Sequence, residues 1–118
     1  MSLTTEEITD CNNQDCLERL CNELINLHKK CYNVNNRSWR NKCNVTREQF
    51  TIFLMEYLAL LIELNEKYGI KVSSYHAKLS QIFRSYNLTR KDKSIQNIKD
   101  TLEYLEHLSN PQNYNMEY

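Results

Sequence analysis

The densest apolar run of the chain lies between residues 50 and 64, FTIFLMEYLALLIEL, interrupted only by Thr51, Glu56 and Glu63. Apolar residues on nearly every face of one segment predict a helix that is either central in its domain or partly exposed at a partner interface. Its ends are marked. Thr46 and Gln49 have the spacing of a capping box. Gly69 followed by Ile70 reads as a left-handed stop with an apolar contact just beyond it.

Three narrower stripes surround it. Leu17, Leu20, Leu24, Leu27 and Cys31 step by three and four and predict a helix from about Asp15 to Tyr32, capped by Asn12, Asn13 or Asp15. Thr4 and Glu7 allow a short capped turn ahead of it. Tyr75, Leu79, Ile82, Phe83 and Tyr86 predict a helix from Ser73 or Ser74 to Tyr86. Ile95, Ile98, Leu102 and Leu105 predict another from about Asp92 to Leu108. Residues 33–45 form a polar, asparagine-rich connection. The expected architecture is all-α, a compact bundle of about four helices with the second (about 46–68) as the central hub.

Composition supports that class. One glycine and one proline in 118 residues are too few for the turns of a β or βαβ domain. The length suits a single helical domain over 1–118, with 1–14 as a lead and 110–118 as a loose polar tail. An apolar content of 41% excludes a wholly disordered chain. The stretch from Phe50 to Ile62 is shorter than the ~20 residues of a bilayer span, so no membrane is expected.

Net charge is zero, but charge is segregated. Residues 1–27, 28–47, 48–66, 67–99 and 100–118 carry −5, +6, −4, +7 and −4. The blocks neutralise one another between neighbouring helices, or present separate faces.

The five cysteines, Cys11, Cys16, Cys21, Cys31 and Cys43, are an odd number, and the N-terminus lacks the pattern of a secretory signal. Both features predict reduced thiols and an intracellular location, cytoplasmic or nuclear. Asn36-Arg-Ser, Asn44-Val-Thr and Asn87-Leu-Thr match the glycosylation acceptor pattern. In an asparagine-rich intracellular chain they are expected to carry no meaning. The cysteine spacing provides no close C-x2-C pair, and His28 with Cys31 lacks a second pair, so no metal is expected.

Glu63 and Glu66, and again Glu103 and Glu106, place carboxylates three apart on helices. Two such pairs resemble the motifs of the all-α nucleoside triphosphate pyrophosphohydrolases. That resemblance implies a Mg²⁺-dependent nucleotide pyrophosphohydrolase, although that family places aspartate where this chain has Glu106. No nucleophile elbow, P-loop or HExxH run occurs, so no catalytic residue, cofactor or small-molecule ligand is expected.

The expected function is a non-enzymatic protein–protein interaction domain, an adaptor or dimerisation module. Trp39, Met55 and Tyr57 are the expected partner contacts, with Arg37 and Arg40 beside the tryptophan. An alternative is a nucleic-acid-binding accessory domain using the basic blocks 28–47 and 67–99.

Overall fold

The computed structural model describes residues 3–33, 35–36, 38–83 and 93–109. The residues between and beyond them, including Arg37, Tyr86, Asn87, Asp92 and the expected tail 110–118, lie outside the described residues. Helix α1 spans Thr5–Thr9, α2 Gln14–Cys31, α3 Arg47–Tyr68, α4 Ser73–Phe83 and α5 Lys93–Ser109. Two short strands, β1 (Tyr32–Asn33) and β2 (Ser38–Trp39), pair antiparallel between α2 and α3.

The helix starts follow the capping residues. Thr4 Oγ1 accepts from the Glu7 N–H at 3.2 Å, and Asn13 Oδ1 from the Cys16 N–H at 2.9 Å. Thr46 Oγ1 accepts from the Gln49 N–H at 3.1 Å. Each bond satisfies one donor that the first helical turn leaves unpaired. At the far end of α3, Gly69 sits at φ 68°. Its N–H donates to the Asn65 carbonyl at 3.0 Å, and the Ile70 N–H reaches back to Leu64. The chain then turns into α4.

The core is one cluster. It takes Leu17, Leu20, Cys21 and Leu24 from α2, Phe50 through Leu64 on one side of α3, Leu79 from α4, and Ile98, Leu102 and Leu105 from α5. Burying each large apolar side chain contributes roughly 1.5–3 kcal/mol. Helix α3 packs against α1, α2 and α5. Helix α4 packs chiefly on α2 and α5. The arrangement therefore differs from a hub touched equally by every other helix. The Tyr75 backbone carbonyl accepts from the Cys21 thiol, and the Tyr75 hydroxyl donates to the Gln14 carbonyl at 3.4 Å, so α4 is tied to α2. The N-terminal lead also contains the capped helix α1, whose Ile8 is fully buried.

The connection after α2 is more ordered than its polarity suggests. Asn33 Oδ1 accepts from the N–H groups of Asn35 (3.0 Å) and Asn36 (3.4 Å), an asparagine-built turn. That turn sets Trp39 opposite Tyr32. The Arg40 N–H then donates to the Cys31 carbonyl at 2.7 Å. The fold is thus mostly helical with one two-residue hairpin, where an all-helical chain is expected from the sequence.

Candidate interaction surface

Eight α3 residues are buried: Phe50, Phe53, Leu54, Tyr57, Leu58, Leu60, Leu61 and Leu64. At 100° per residue they occupy an arc of roughly 160°. The apolar residues outside that arc are Ile52, Met55, Ala59 and Ile62, spaced three, four and three apart along the outward face. Ile52 is 50% exposed. Ala59 is exposed, while Met55 and Ile62 are half-buried, each packed in part against the core. These four side chains form a narrow apolar strip of the kind a second helix covers.

Carboxylates border the strip. Glu56 and Glu63 flank it on one side of α3, and Glu66 stands in line with it one turn beyond Ile62. Glu63 is held by Lys67 one turn on, at 3.0 Å. Glu66 accepts from the Tyr104 hydroxyl of α5 at 2.9 Å. Glu56 differs, because its Oε2 is shielded from water and has no hydrogen-bond partner. An unsatisfied buried acceptor costs about 1–3 kcal/mol.

Of the expected contact residues, Met55 belongs to the strip. Tyr57 does not, because its ring is fully buried and its hydroxyl donates to the Leu17 carbonyl at 2.6 Å. The α3 periodicity places it between Phe53 and Leu61 on the inward arc, so it serves the core. Desolvation raises its hydroxyl pKa well above the ordinary value and holds it neutral. Arg40 is exposed on the loop after β2. Arg37 lies outside the described residues.

Trp39 is half-buried over the start of α3. Its Nε1–H donates to the Val45 carbonyl at 2.7 Å. Its ring lies 5.1 Å from Phe50 and 6.2 Å from His28, which stacks on Tyr32 at 4.9 Å. This aromatic cluster closes the end of the molecule where α2 gives way to the hairpin. Burial pushes the His28 imidazole down to about 4.

The cysteines overturn the expectation of five reduced thiols. Cys11 pairs with Cys16, and Cys31 with Cys43, each as a disulfide. The Cα atoms lie 5.7 and 5.5 Å apart, within the range a disulfide requires. Cys21 alone is free, and it is buried. The five-residue spacing that separates Cys11 and Cys16 on a continuous helix does not apply, because the chain breaks at Cys11–Asn13 between α1 and α2. The redox argument for an intracellular location falls with the reduced thiols.

Beside the second disulfide is a cleft of about 580 Å³, lined by Leu3, Glu23, Leu27, Lys30, Asn44 and Val45 among others. Among the described residues no group of three or more His, Cys, Asp or Glu side chains is placed to hold a metal ion. No described helix is long and apolar enough to cross a membrane. No protein-family model matches the chain, and neither a curated protein nor a solved structure matches it.

The strip was only partly legible in the sequence. The 52-55-59-62 spacing is present, but it lies within a run that is apolar almost throughout. Periodicity could not say which stripe faces outward until the neighbours of α3 were known.

Proposed function

We propose that this chain is a non-enzymatic protein-binding domain whose α3 receives an amphipathic helix of a partner, in the manner of an adaptor. The observation that carries this reading is half-exposed Ile52 with exposed Ala59, on an outward line of α3 that Met55 and Ile62, packed in part against the core, extend. Covering exposed apolar surface supplies the driving force for such docking.

Charge favours the kind of partner. Two copies packed strip to strip would set the acidic borders Glu56, Glu63 and Glu66 against each other, and like charges across an interface disfavour association. A helix with lysine or arginine beside its apolar stripe meets those carboxylates favourably.

The test is fluorescence anisotropy with two designed amphipathic peptides of identical apolar stripe, one flanked by lysine and one by glutamate. The lysine peptide should bind, and Ile52→Glu should weaken binding tenfold or more. Half-exposed Ile52 contributes little to the core, so the same substitution should shift stability by no more than about 0.5 kcal/mol. Equal binding of both peptides, or indifference to Ile52→Glu, would reject the reading. A doubled solution mass that Ile52→Glu halves would assign the strip to a second copy instead.

The nucleic-acid alternative would require Trp39 as a stacking platform. Its N–H and part of its ring are engaged by Val45, Phe50 and His28, which favours the protein-binding reading.

A further inference from the structure

The two disulfides change the meaning of the asparagine triplets. The triplets alone say little, since an asparagine-rich chain generates them by chance. Their placement is another matter. Asn36 sits in the exposed turn joining β1 to β2, inside the loop that Cys31–Cys43 closes. Asn44 is exposed one residue beyond that disulfide, at the rim of the cleft with Leu27 and Val45. Both lie outside the helices, where a bulky polar adduct is accommodated without disturbing the core. The third triplet, at Asn87, lies outside the described residues.

Disulfides form and persist in oxidising compartments, where thiol–disulfide exchange with an oxidised dithiol protein removes the two thiol hydrogens. In eukaryotic cells such a compartment also holds the machinery that modifies Asn-X-Ser/Thr. The two cysteine pairs are separate in the chain, one at the α1–α2 junction and one across the hairpin. They give the same indication independently.

We propose that Asn36 and Asn44 are N-glycan acceptors and that the chain matures in an oxidising secretory compartment. The amide nitrogen of asparagine forms a bond to C1 of an oligosaccharide carried on a lipid pyrophosphate. The bond from C1 to the pyrophosphate oxygen breaks, the lipid pyrophosphate leaves with the electron pair, and the amide gives up one proton. Acceptor recognition uses the hydroxyl two residues on, Ser38 or Thr46. In the folded chain Thr46 Oγ1 is engaged as the α3 cap, accepting from the Gln49 N–H. Transfer to Asn44 therefore precedes closure of that cap, as the chain emerges.

The experiment uses full-length protein isolated from its natural source. The denatured protein is alkylated with and without reductant, and peptides are mapped by mass after glycan release in heavy-oxygen water by a peptide-N-glycosidase, which hydrolyses the asparagine amide and leaves aspartate. One alkylated thiol in the denatured, unreduced protein (Cys21), five after reduction, and heavy-oxygen conversion of Asn36 and Asn44 to aspartate are the expected results. Expression through a secretory pathway should then show a stepwise loss of glycan mass in Asn36→Gln, Asn44→Gln and the double variant. Five thiols that alkylate without reductant, or unmodified asparagine at both positions, would overturn the proposal. Modification at one position keeps it for that residue and removes it for the other. Asparagine-to-glutamine changes leave the Thr46 cap in place, so loss of glycan is separable from loss of folding.

Discussion

His28 shows how one buried residue sets a condition on the whole fold. It lies on the inward face of α2, four residues after Leu24, where its imidazole packs among Tyr32, Trp39 and Phe50. Burial lowers its pKa from 6.5 to about 4. The unfolded chain therefore binds more protons than the folded one between those values, and stability falls as pH drops through that window. The expected loss is roughly 3 kcal/mol between neutral pH and pH 4. Burial also lowers the His76 pKa, partly opposed by Glu106, and adds a change of the same sign. Urea unfolding at pH 7 and pH 4.5 measures the effect, and His28→Phe should flatten the dependence. An unchanged slope in that variant would show that His28 is not the titrating group. The α2 stripe read from the sequence leaves His28 out, because its aromatic surroundings come from three separate elements.

At the scale of elements, α3 and the hairpin behave differently. The α3 boundaries were legible because local chemistry sets them: a hydroxyl at Thr46 for the start, a left-handed residue at Gly69 for the stop. Gly69 at φ 68° has nothing within 4 Å of where a Cβ would stand. Any penalty at this position is therefore one of backbone conformation. Gly69→Ala should cost about 1 kcal/mol, the ordinary cost of placing a Cβ in the left-handed region, and thermal or urea unfolding reads it. A loss well above that would mean the α3–α4 turn rearranges. The hairpin was not legible. Strands of two residues leave no alternating pattern, and Asn33 reads as loop until its side chain is seen to accept from Asn35 and Asn36.

For the whole molecule, the disulfides are the feature with the largest consequence. Cys31–Cys43 closes a loop with a sequence separation of 12, and Cys11–Cys16 one of 5. Closing such loops restricts the unfolded chain, worth about 3 kcal/mol for the larger and about 2 kcal/mol for the smaller. Unfolding with and without a thiol reductant should therefore separate by several kcal/mol, and Cys31→Ser with Cys43→Ser should account for the larger part. Coincident curves would show that the bridges do not constrain the chain. The α3 strip belongs to this scale too, because only the full set of neighbours decides which α3 residues remain outside.

Legible in the chain before any tertiary contact are the mostly helical class, the existence of α2 through α5, and the caps at Thr4, Thr46 and Gly69, while the cap of α2 stays open among Asn12, Asn13 and Asp15 until Asn13 is seen to accept from the Cys16 N–H. These follow from interactions within a few residues, which spacing records directly. Tertiary structure alone decided that Tyr57 faces inward, that α4 packs on α2 and α5, that Trp39 is bound to Val45, and that four cysteines are joined. Each of these depends on which distant segments meet. Cys31 and Cys43 come together because the Asn33 turn reverses the chain between them. Tyr57 lies on the arc of α3 that α2 covers, and the Leu17 carbonyl of that helix satisfies its buried hydroxyl. No periodicity along a single segment encodes either approach.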